Sequence, residues 1–325
     1  MRALSVVRPG PLTTVQDLGR SGVAHQGVPR AGALDRPAHV AANRLVGNPP
    51  GAATLETTLG GVTVRAVGGP LSVAVTGAPA GVRVDGRPAA WGSAVRLEVG
   101  ETLDVGPADF GVRSYLAVRG GIAVPLVLGS RSADLLTGLG PAPLRAGDLL
   151  PVGDPQPTGY PLALPLGASG AEAGAVEAGA AEAGAAEDED LGTRARPWGA
   201  DLVPLPGMPT ELVLRLRPGP RADWFLPGSL ATLARARYRV AAASNRIALR
   251  TEGPGLDRLR HQELASEGMV LGAVQVPPDG QPVVFLADHP TTGGYPVLGV
   301  VPEADLAAAA QARPGVTVRF VPAPN

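Results

Sequence analysis

At 325 residues the chain has room for one large domain or two ordinary ones. Its 45 glycines and 35 prolines argue against a helical bundle, because both residues break helices, while a 45% hydrophobic content demands a packed core. There is no cysteine, and all 28 basic residues are arginine, so disulfides, thiolate nucleophiles, Cys-ligated zinc, Schiff bases, lysine-linked biotin and a P-loop lysine are excluded from this chain. A net charge of −1 carries no nucleic-acid signal.

In chain order, residues 4–7, 62–67, 71–76, 95–99 and 114–118 are short runs rich in Val and Leu and read as strands. The alternation Leu97-Glu98-Val99 suits a half-buried strand. Val84-Asp85-Gly86-Arg87 predicts a hairpin, since Asp-Gly tolerates positive φ. One helix is predicted from the N-cap Asp35 through Pro37 to Leu45, with Gly47 as its stop.

Further on, residues 211–217 alternate as a strand, 223–235 read as a helix, and 270–276 and 283–287 read as strands. A short helix over 302–312 carries Glu303 and Asp305 in its favourable first turn, and 316–321 closes as a strand. Many short strands with few helices favour a mainly β architecture, a barrel or sandwich, in two similar lobes. The echo of Arg8-Pro9-Gly10-Pro11 in Arg217-Pro218-Gly219-Pro220 adds weak support for two lobes.

Between them, residues 168–190 repeat Glu172, Glu177, Glu182 and Glu187 amid Ala and Gly, and end in Glu187-Asp188-Glu189-Asp190. A five-residue spacing sets successive glutamates about 140° apart on a helix, so no face forms. The segment reads as a flexible, solvated tether. The expected division is therefore a β-rich lobe over 1–160, a linker over 161–197 and a second β-rich lobe over 198–325. The tether holds seven acids and no base, so the rest of the chain is mildly basic, suiting an anionic small molecule or simply reflecting scattered surface arginines. Arg8 and Pro9 interrupt the first apolar run too early for a secretory signal, and no run reaches membrane-spanning length, so a cytoplasmic protein without membrane or nucleic-acid partners is expected.

Several polar clusters interrupt the strands. Gln16-Asp17 with Arg20 offers an anion a guanidinium fork and backbone N–H groups, or forms a turn in which Asp17 bonds its own backbone. Asn43 and Asn48 read as a solvent-facing helix residue and a turn residue. Glu56 follows Leu55 and is either exposed, as base rates favour, or a buried carboxylate with a raised pKa. Arg119-Gly120-Gly121 and Ser130-Arg131-Ser132 suit an oxyanion or phosphate grip, or a glycine-rich turn and a capped helix start. Ser244-Asn245-Arg246 and Ser266-Glu267-Gly268 are too short to decide. Gln275, the Pro277-Pro278-Asp279-Gly280 turn, Asp288 and Thr291-Thr292-Gly293-Gly294-Tyr295-Pro296 combine hydroxyls, flexible backbone and an aromatic wall, either around a small polar ligand or as a structural loop with Tyr295 packed on the core. The four histidines are scattered without metal-ligand spacing, so no metal site is expected.

The ordered motifs TTVQDLGRSGVAHQGVPRAGALD, AANRLVGN, LET, SYLAVRGGI, LGSRSADLL, LRAGDLLP, SEGMVLGAVQVPPDGQPVVFLAD and TTGGYP cover both flanks of the tether. Together they resemble the biotin-dependent carboxyltransferase family, which includes the C-type 5-oxoprolinase subunits and proteins labelled allophanate hydrolase subunit 2. The resemblance implies a cyclophilin-like β-barrel architecture in two lobes. It implies two partners, a B-type 5-oxoprolinase subunit that shares the active site and an A-type subunit that opens the lactam. The assembly would convert 5-oxo-L-proline to L-glutamate with ATP hydrolysis, this chain being inactive alone. The resemblance equally implies two alternatives: a carboxyltransferase component of a urea-type amide carboxylase, using biotin attached to another chain, or a regulatory antagonist of a histidine-kinase inhibitor.

Phosphorylating a lactam oxygen makes its carbon attackable, so such a site needs cations for phosphate and oxyanion and a carboxylate to position water or a proton. The matching positions imply Asp17, Glu56 and Asp288 as catalytic acids. They imply Gln16, Arg20, Arg119, Ser130, Arg131, Ser132, Arg246, Gln275, Thr291, Thr292, Gly293, Gly294 and Tyr295 as substrate- or anion-binding residues. Three departures from the family pattern stand out: Asn245 before Arg246 in place of an acid, Val297 after TTGGYP in place of a base, and a shortened loop at 138–143.

If 168–190 is only a tether, its deletion leaves the thermal unfolding midpoint and partner binding nearly unchanged. Calorimetry on the deletion variant checks this, and a large loss of stability contradicts it.

Overall fold

The computed structural model describes residues 1–155, 210–260 and 262–324. The linker expected over 161–197, with the domain boundaries on either side of it, lies outside these residues. Before the break the strands are β1 (Ala3–Arg8), β2 (Thr13–Gln16), β3 (Thr54–Thr58), β4 (Thr63–Val67), β5 (Leu71–Gly77), β6 (Ala80–Val84), β7 (Arg87–Ala89), β8 (Ala94–Leu97), β9 (Thr102–Ala108), β10 (Arg113–Val118) and β11 (Leu149–Pro151). They form a six-stranded sheet in the order β11-β1-β4-β9-β6-β7 and a five-stranded sheet in the order β2-β3-β10-β5-β8. Leu4, Val64 and Leu103 from the first sheet and Leu55, Val73 and Leu116 from the second share one core. Helix α1 (Arg36–Leu45) covers the outer face of the five-stranded sheet, packing Ala42 and Leu45 on Ala74, Tyr115 and Ala117.

After the break come β12 (Glu211–Pro218), α2 (Ser229–Arg235), β13 (Tyr238–Val240), β14 (Ala248–Glu252), β15 (Glu267–Gly268), β16 (Ala273–Gln275), β17 (Val283–Phe285), β18 (Thr292–Gly293), β19 (Val297–Val300), α3 (Glu303–Gln311) and β20 (Thr317–Pro322). Seven of these strands close a barrel in the order β12-β19-β16-β17-β14-β13-β20, and β15 pairs with β18 beside it. The barrel core includes Leu214, Val274, Leu298 and Phe320, and Leu306, Ala309 and Ala310 of α3 pack against it. The architecture is mainly β with three α-helices among the described residues, as expected.

Local chemistry explains the elements that match expectation. Asp35 caps α1 by accepting from the Ala38 N–H at 3.0 Å, Pro37 lies in its first turn, and Gly47 (φ +70°) follows its end. Asp85 (φ +47°) and Gly86 (φ +79°) make the tight β6–β7 hairpin. Three expectations fail. The helix expected over 223–235 splits into a 3₁₀ turn (Ala222–Trp224) and α2, because Pro227 and Gly228 (φ +107°) interrupt it. The strand expected over 270–276 begins only at Ala273, after Gly272 (φ +80°). The strand around Leu97 ends there, leaving Val99 exposed before the Gly100 turn.

Asn43, expected to face solvent, is buried, and so is Asn48, which follows the turn after α1. The Asn48 amide donates to the Val118 carbonyl at 2.7 Å and to Asn43 Oδ1 at 3.0 Å, while its oxygen accepts from the Gly120 N–H at 2.8 Å. It thus pins the α1 exit to the end of β10. Asn48→Ala leaves these groups buried and unpaired, and we expect a loss of about 2–3 kcal/mol in urea unfolding.

Leu34 and Gln311 are among the features that join the lobes. Leu34, from the segment entering α1, inserts into the barrel core. Gln311, at the end of α3, accepts from the Val112 and Arg113 N–H groups at 2.8 and 2.9 Å and donates to Asp35 Oδ2 at 2.7 Å and the Arg113 carbonyl at 2.9 Å. One side chain therefore saturates an edge of the other lobe.

Candidate functional site

Pairing of β3 with β2 and β10 sets Glu56 opposite both Thr14 and Tyr115, in the middle of the five-stranded sheet. Its carboxylate faces the barrel. One oxygen accepts from the Leu34 N–H at 3.0 Å and the Tyr115 hydroxyl at 2.8 Å. The other accepts from Arg246 Nη1 and lies 3.7 Å from Arg113 Nε. Arg246 then forks onto Asp288, with Nε and Nη2 each at 2.9 Å, and Nη2 also donates to the Gly32 carbonyl at 2.7 Å. The second Asp288 oxygen also takes the Leu135 N–H at 3.1 Å. All four charged side chains are buried: Arg246 and Glu56 are 1% exposed and Asp288 is 0%. Two carboxylates and two guanidiniums compensate one another across the lobe boundary.

This corrects the expectations for Glu56. It is buried rather than exposed, and its pKa is not raised. Burial alone pushes the carboxyl up, but Arg246, Arg113, the Leu34 N–H and the Tyr115 hydroxyl outweigh burial and hold it below its ordinary value. Arg246 is not a free anion grip, since each of its nitrogens already has an acceptor.

A second knot gathers Gln16, Asp17, Arg20, Ser130, Arg131 and Ser132. One Asp17 oxygen accepts from the Ser130 and Ser132 hydroxyls, each at 2.6 Å, and from the Gly19 N–H at 2.8 Å. The other accepts from the Arg131 N–H at 2.6 Å. Burial pushes Asp17 up, and these four donors outweigh it to leave the pKa lowered. Arg20 donates to the Val127 and Ser132 carbonyls at 3.0 and 2.6 Å. Gln16 donates to the Ala133 carbonyl at 3.1 Å. Arg131, expected to grip an oxyanion with its flanking serines, turns its Nε to the Val124 carbonyl at 2.8 Å, and the serines serve Asp17 instead. The knot fixes the loop whose Leu135 N–H reaches Asp288.

The remaining candidates lie apart from the junction. Gln275 donates to the Tyr295 carbonyl at 2.7 Å, tying β16 to the 291–296 loop. Thr291 accepts from the Met269 N–H at 2.9 Å through its carbonyl, and Thr292-Gly293 pairs with Glu267-Gly268. Thr292 is exposed and Tyr295 is 45% exposed, with the Arg258 guanidinium 5.6 Å from its ring centre, so Tyr295 is not packed on the core. Gly294 lies partly open between them. Arg119 sits at the end of β10, where its N–H bonds the Ser72 carbonyl at 2.8 Å. Val297 lies on the opposite face of β19 from the barrel core, buried in a cluster with Met269 and Phe285, a place unsuited to a charge, and Asn245 accepts from the Ile247 N–H at 2.8 Å, a turn bond that an acid also makes.

Sequence reading missed Arg113 and Tyr115. The available signal was an arginine and a tyrosine at i and i+2 in a run otherwise fit for a core strand, which places them on one face. It also missed the cleft of about 420 Å³ between the lobes, lined by Leu18, Leu34 and Val40 on one side and Leu271, Leu286 and Leu306 on the other. Among the described residues, no group of three or more His, Asp and Glu side chains is placed to hold a metal ion, and no helix is long and apolar enough to cross a membrane.

Comparison with known proteins places this architecture. Residues 26–322 match the carboxyltransferase domain, subdomain A and B. The chain belongs to this carboxyltransferase-domain family. It is 36% identical to the C-type 5-oxoprolinase subunit of Escherichia coli K12, covering 98% of this chain and 90% of that one. It is 31% identical to the corresponding 5-oxoprolinase subunit of Haemophilus influenzae, over 94% and 87%. The solved structure of TTHA0988 superposes with a TM-score of 0.79 at 34% identity, covering 99% of this chain and 56% of that longer chain. The urea amidolyase of K. lactis gives 0.79 at 28% identity, over 99% and 19%.

Replacing Arg246 by Met strands Glu56 and Asp288 as buried charges, and we expect a loss of about 3–5 kcal/mol in urea unfolding. Adding Glu56→Gln and Asp288→Asn to Arg246→Met restores part of that loss. Acid stability depends on several groups with lowered pKa, His39 and Glu56 among them. Burial lowers His39 from 6.5 to about 4, so its contribution is complete above 6.5 and fades as pH falls towards 4. The Glu56 contribution is complete above 4.5 and fades below it. Unfolding free energy therefore falls below pH 6.5 and falls further below 4.5, and Glu56→Gln makes the second fall smaller, while Asp17, also lowered, still contributes to it.

Proposed function

We propose that the chain is the C-type subunit of an ATP-dependent 5-oxoprolinase, a complex that opens 5-oxo-L-proline to L-glutamate. The observation that carries this reading is length. The chain matches C-type 5-oxoprolinase subunits over nearly all of both partners, whereas it matches only 19% of the solved urea amidolyase.

The site chemistry supports a shared active site. Asp17, Glu56 and Asp288 are all buried and satisfied by donors of their own chain, so they act as positioning residues rather than as acids that touch substrate. What this chain offers outward is the 291–296 loop, with Thr292 exposed and Tyr295 held beside Arg258. In this reading a B-type subunit finishes the site across that loop, and an A-type subunit supplies the lactam-opening chemistry with ATP bound to the assembly. The similarity to urea amidolyase favours a second reading, a carboxyltransferase component using biotin carried by another chain.

The test is ATP hydrolysis by the purified chain together with its A-type and B-type partners, with and without 5-oxo-L-proline. We expect substrate-stimulated hydrolysis by the full set and none by this chain alone. Hydrolysis indifferent to 5-oxo-L-proline, or turnover by this chain alone, contradicts the proposal. Tyr295→Ala should lower turnover at least about tenfold, the loss expected for one well-placed contact, with an unchanged unfolding midpoint.

A further inference from the structure

The interlobe cleft has no part in the chemistry above, and its composition is specific. Leu18, Leu34, Val40, Leu271, Leu286 and Leu306 line it, giving an apolar interior of about 420 Å³. That volume is in the range of small-molecule sites. Three charged side chains also line it: Arg30, Arg36 and Glu303. They lie toward its mouth with the exposed Pro37 and Ala304, Glu303 52% exposed and the arginines 32% and 35%, whereas Leu34, Leu286 and Leu306 are buried. The cleft is therefore apolar inside and charged at its rim, with two cations to one anion.

The rim arrangement points to the ligand. A single oxygen of Glu303 serves both arginines, paired with Arg36 Nη1 and 3.9 Å from Arg30 Nη2. The other acid of the first α3 turn, Asp305, is turned away onto Arg215 at 2.8 and 3.0 Å. Glu303 thus holds the position that an incoming carboxylate would take. An exposed ion pair of this kind is weak and is exchanged at little cost, while burying an apolar body in the cleft supplies the driving force.

We propose that the cleft binds a small amphipathic carboxylic acid, its chain or ring between α1 and α3 and its carboxylate on Arg30 and Arg36, with Glu303 as the internal carboxylate it displaces. This ligand class differs from 5-oxo-L-proline, whose lactam would lose its hydrogen bonds among leucines. The site therefore does not depend on the reading of the activity given above.

The test is calorimetric titration of the full chain with octanoate, 1-octanol and 5-oxo-L-proline. Octanoate should bind one per chain, and 1-octanol about tenfold more weakly for want of the charge-assisted bonds. Glu303→Gln should tighten octanoate about threefold by removing the competitor. Arg36→Gln should weaken it about tenfold. Ala307→Trp, which fills the cleft from α3, should abolish binding while circular dichroism and the unfolding midpoint stay unchanged. Octanoate binding that survives Ala307→Trp, or that Glu303→Gln leaves unchanged or weakens, overturns the proposal. So does 5-oxo-L-proline binding with the same dependence on these three substitutions.

Discussion

Arg246 is the interaction on which the rest of the structure depends. It stands fully buried between a carboxylate from each lobe, Glu56 and Asp288, and spends its remaining donor on the Gly32 carbonyl. Burying one guanidinium costs several kcal/mol, and only compensation as complete as this makes it tolerable. The consequence is conformational. Besides pairing with Asp288 in its own lobe, Arg246 reaches Glu56 and the Gly32 carbonyl across the boundary, and Asp288 takes the Leu135 N–H, so the segment through Gly32 and the loop through Leu135 are fixed by the same cluster. Gln311 and Arg113 extend this bonding along the boundary.

Such a junction changes how the acidic residues of the chain are understood. Carboxylates in polar sequence clusters invite assignment as general acids or bases, and three of them were plausible on that ground. In the fold each is saturated by donors from its own chain. Asp17 organises a loop, while Glu56 and Asp288 lock the lobes. Among the candidate-site and cleft residues, those left more open to a ligand or partner are Thr292, Tyr295 and the rim set Arg30, Arg36 and Glu303. A chain built this way is suited to orienting and binding.

Much of the fold was legible because its signals are local. The Asp35 cap, the Asp85-Gly86 turn and the Val-rich strands each depend on a few neighbouring residues. The failures came where local propensity met a breaker: Pro227-Gly228 inside an apparent helix, and Gly272 inside an apparent strand. The site was half legible. Motif positions identified Glu56, Arg246 and Asp288, but nothing local says that residues 190 positions apart share one ion pair. Arg113 and Tyr115 were invisible because their meaning comes from the cross-strand register with Glu56. The cleft was invisible because α1 and α3 form it only after the lobes dock.

The most direct test of the claim that the buried cluster makes the two lobes one cooperative unit is native-state amide hydrogen exchange. The Leu34 and Leu135 amides bond to Glu56 and Asp288, while the Val274 and Phe320 amides belong to the barrel. If the cluster couples the lobes, all four exchange with a common opening free energy equal to that of global unfolding. Protection of the barrel amides at the global value while Leu34 and Leu135 open independently at a much lower one would show that the lobes unfold separately, and would contradict the account.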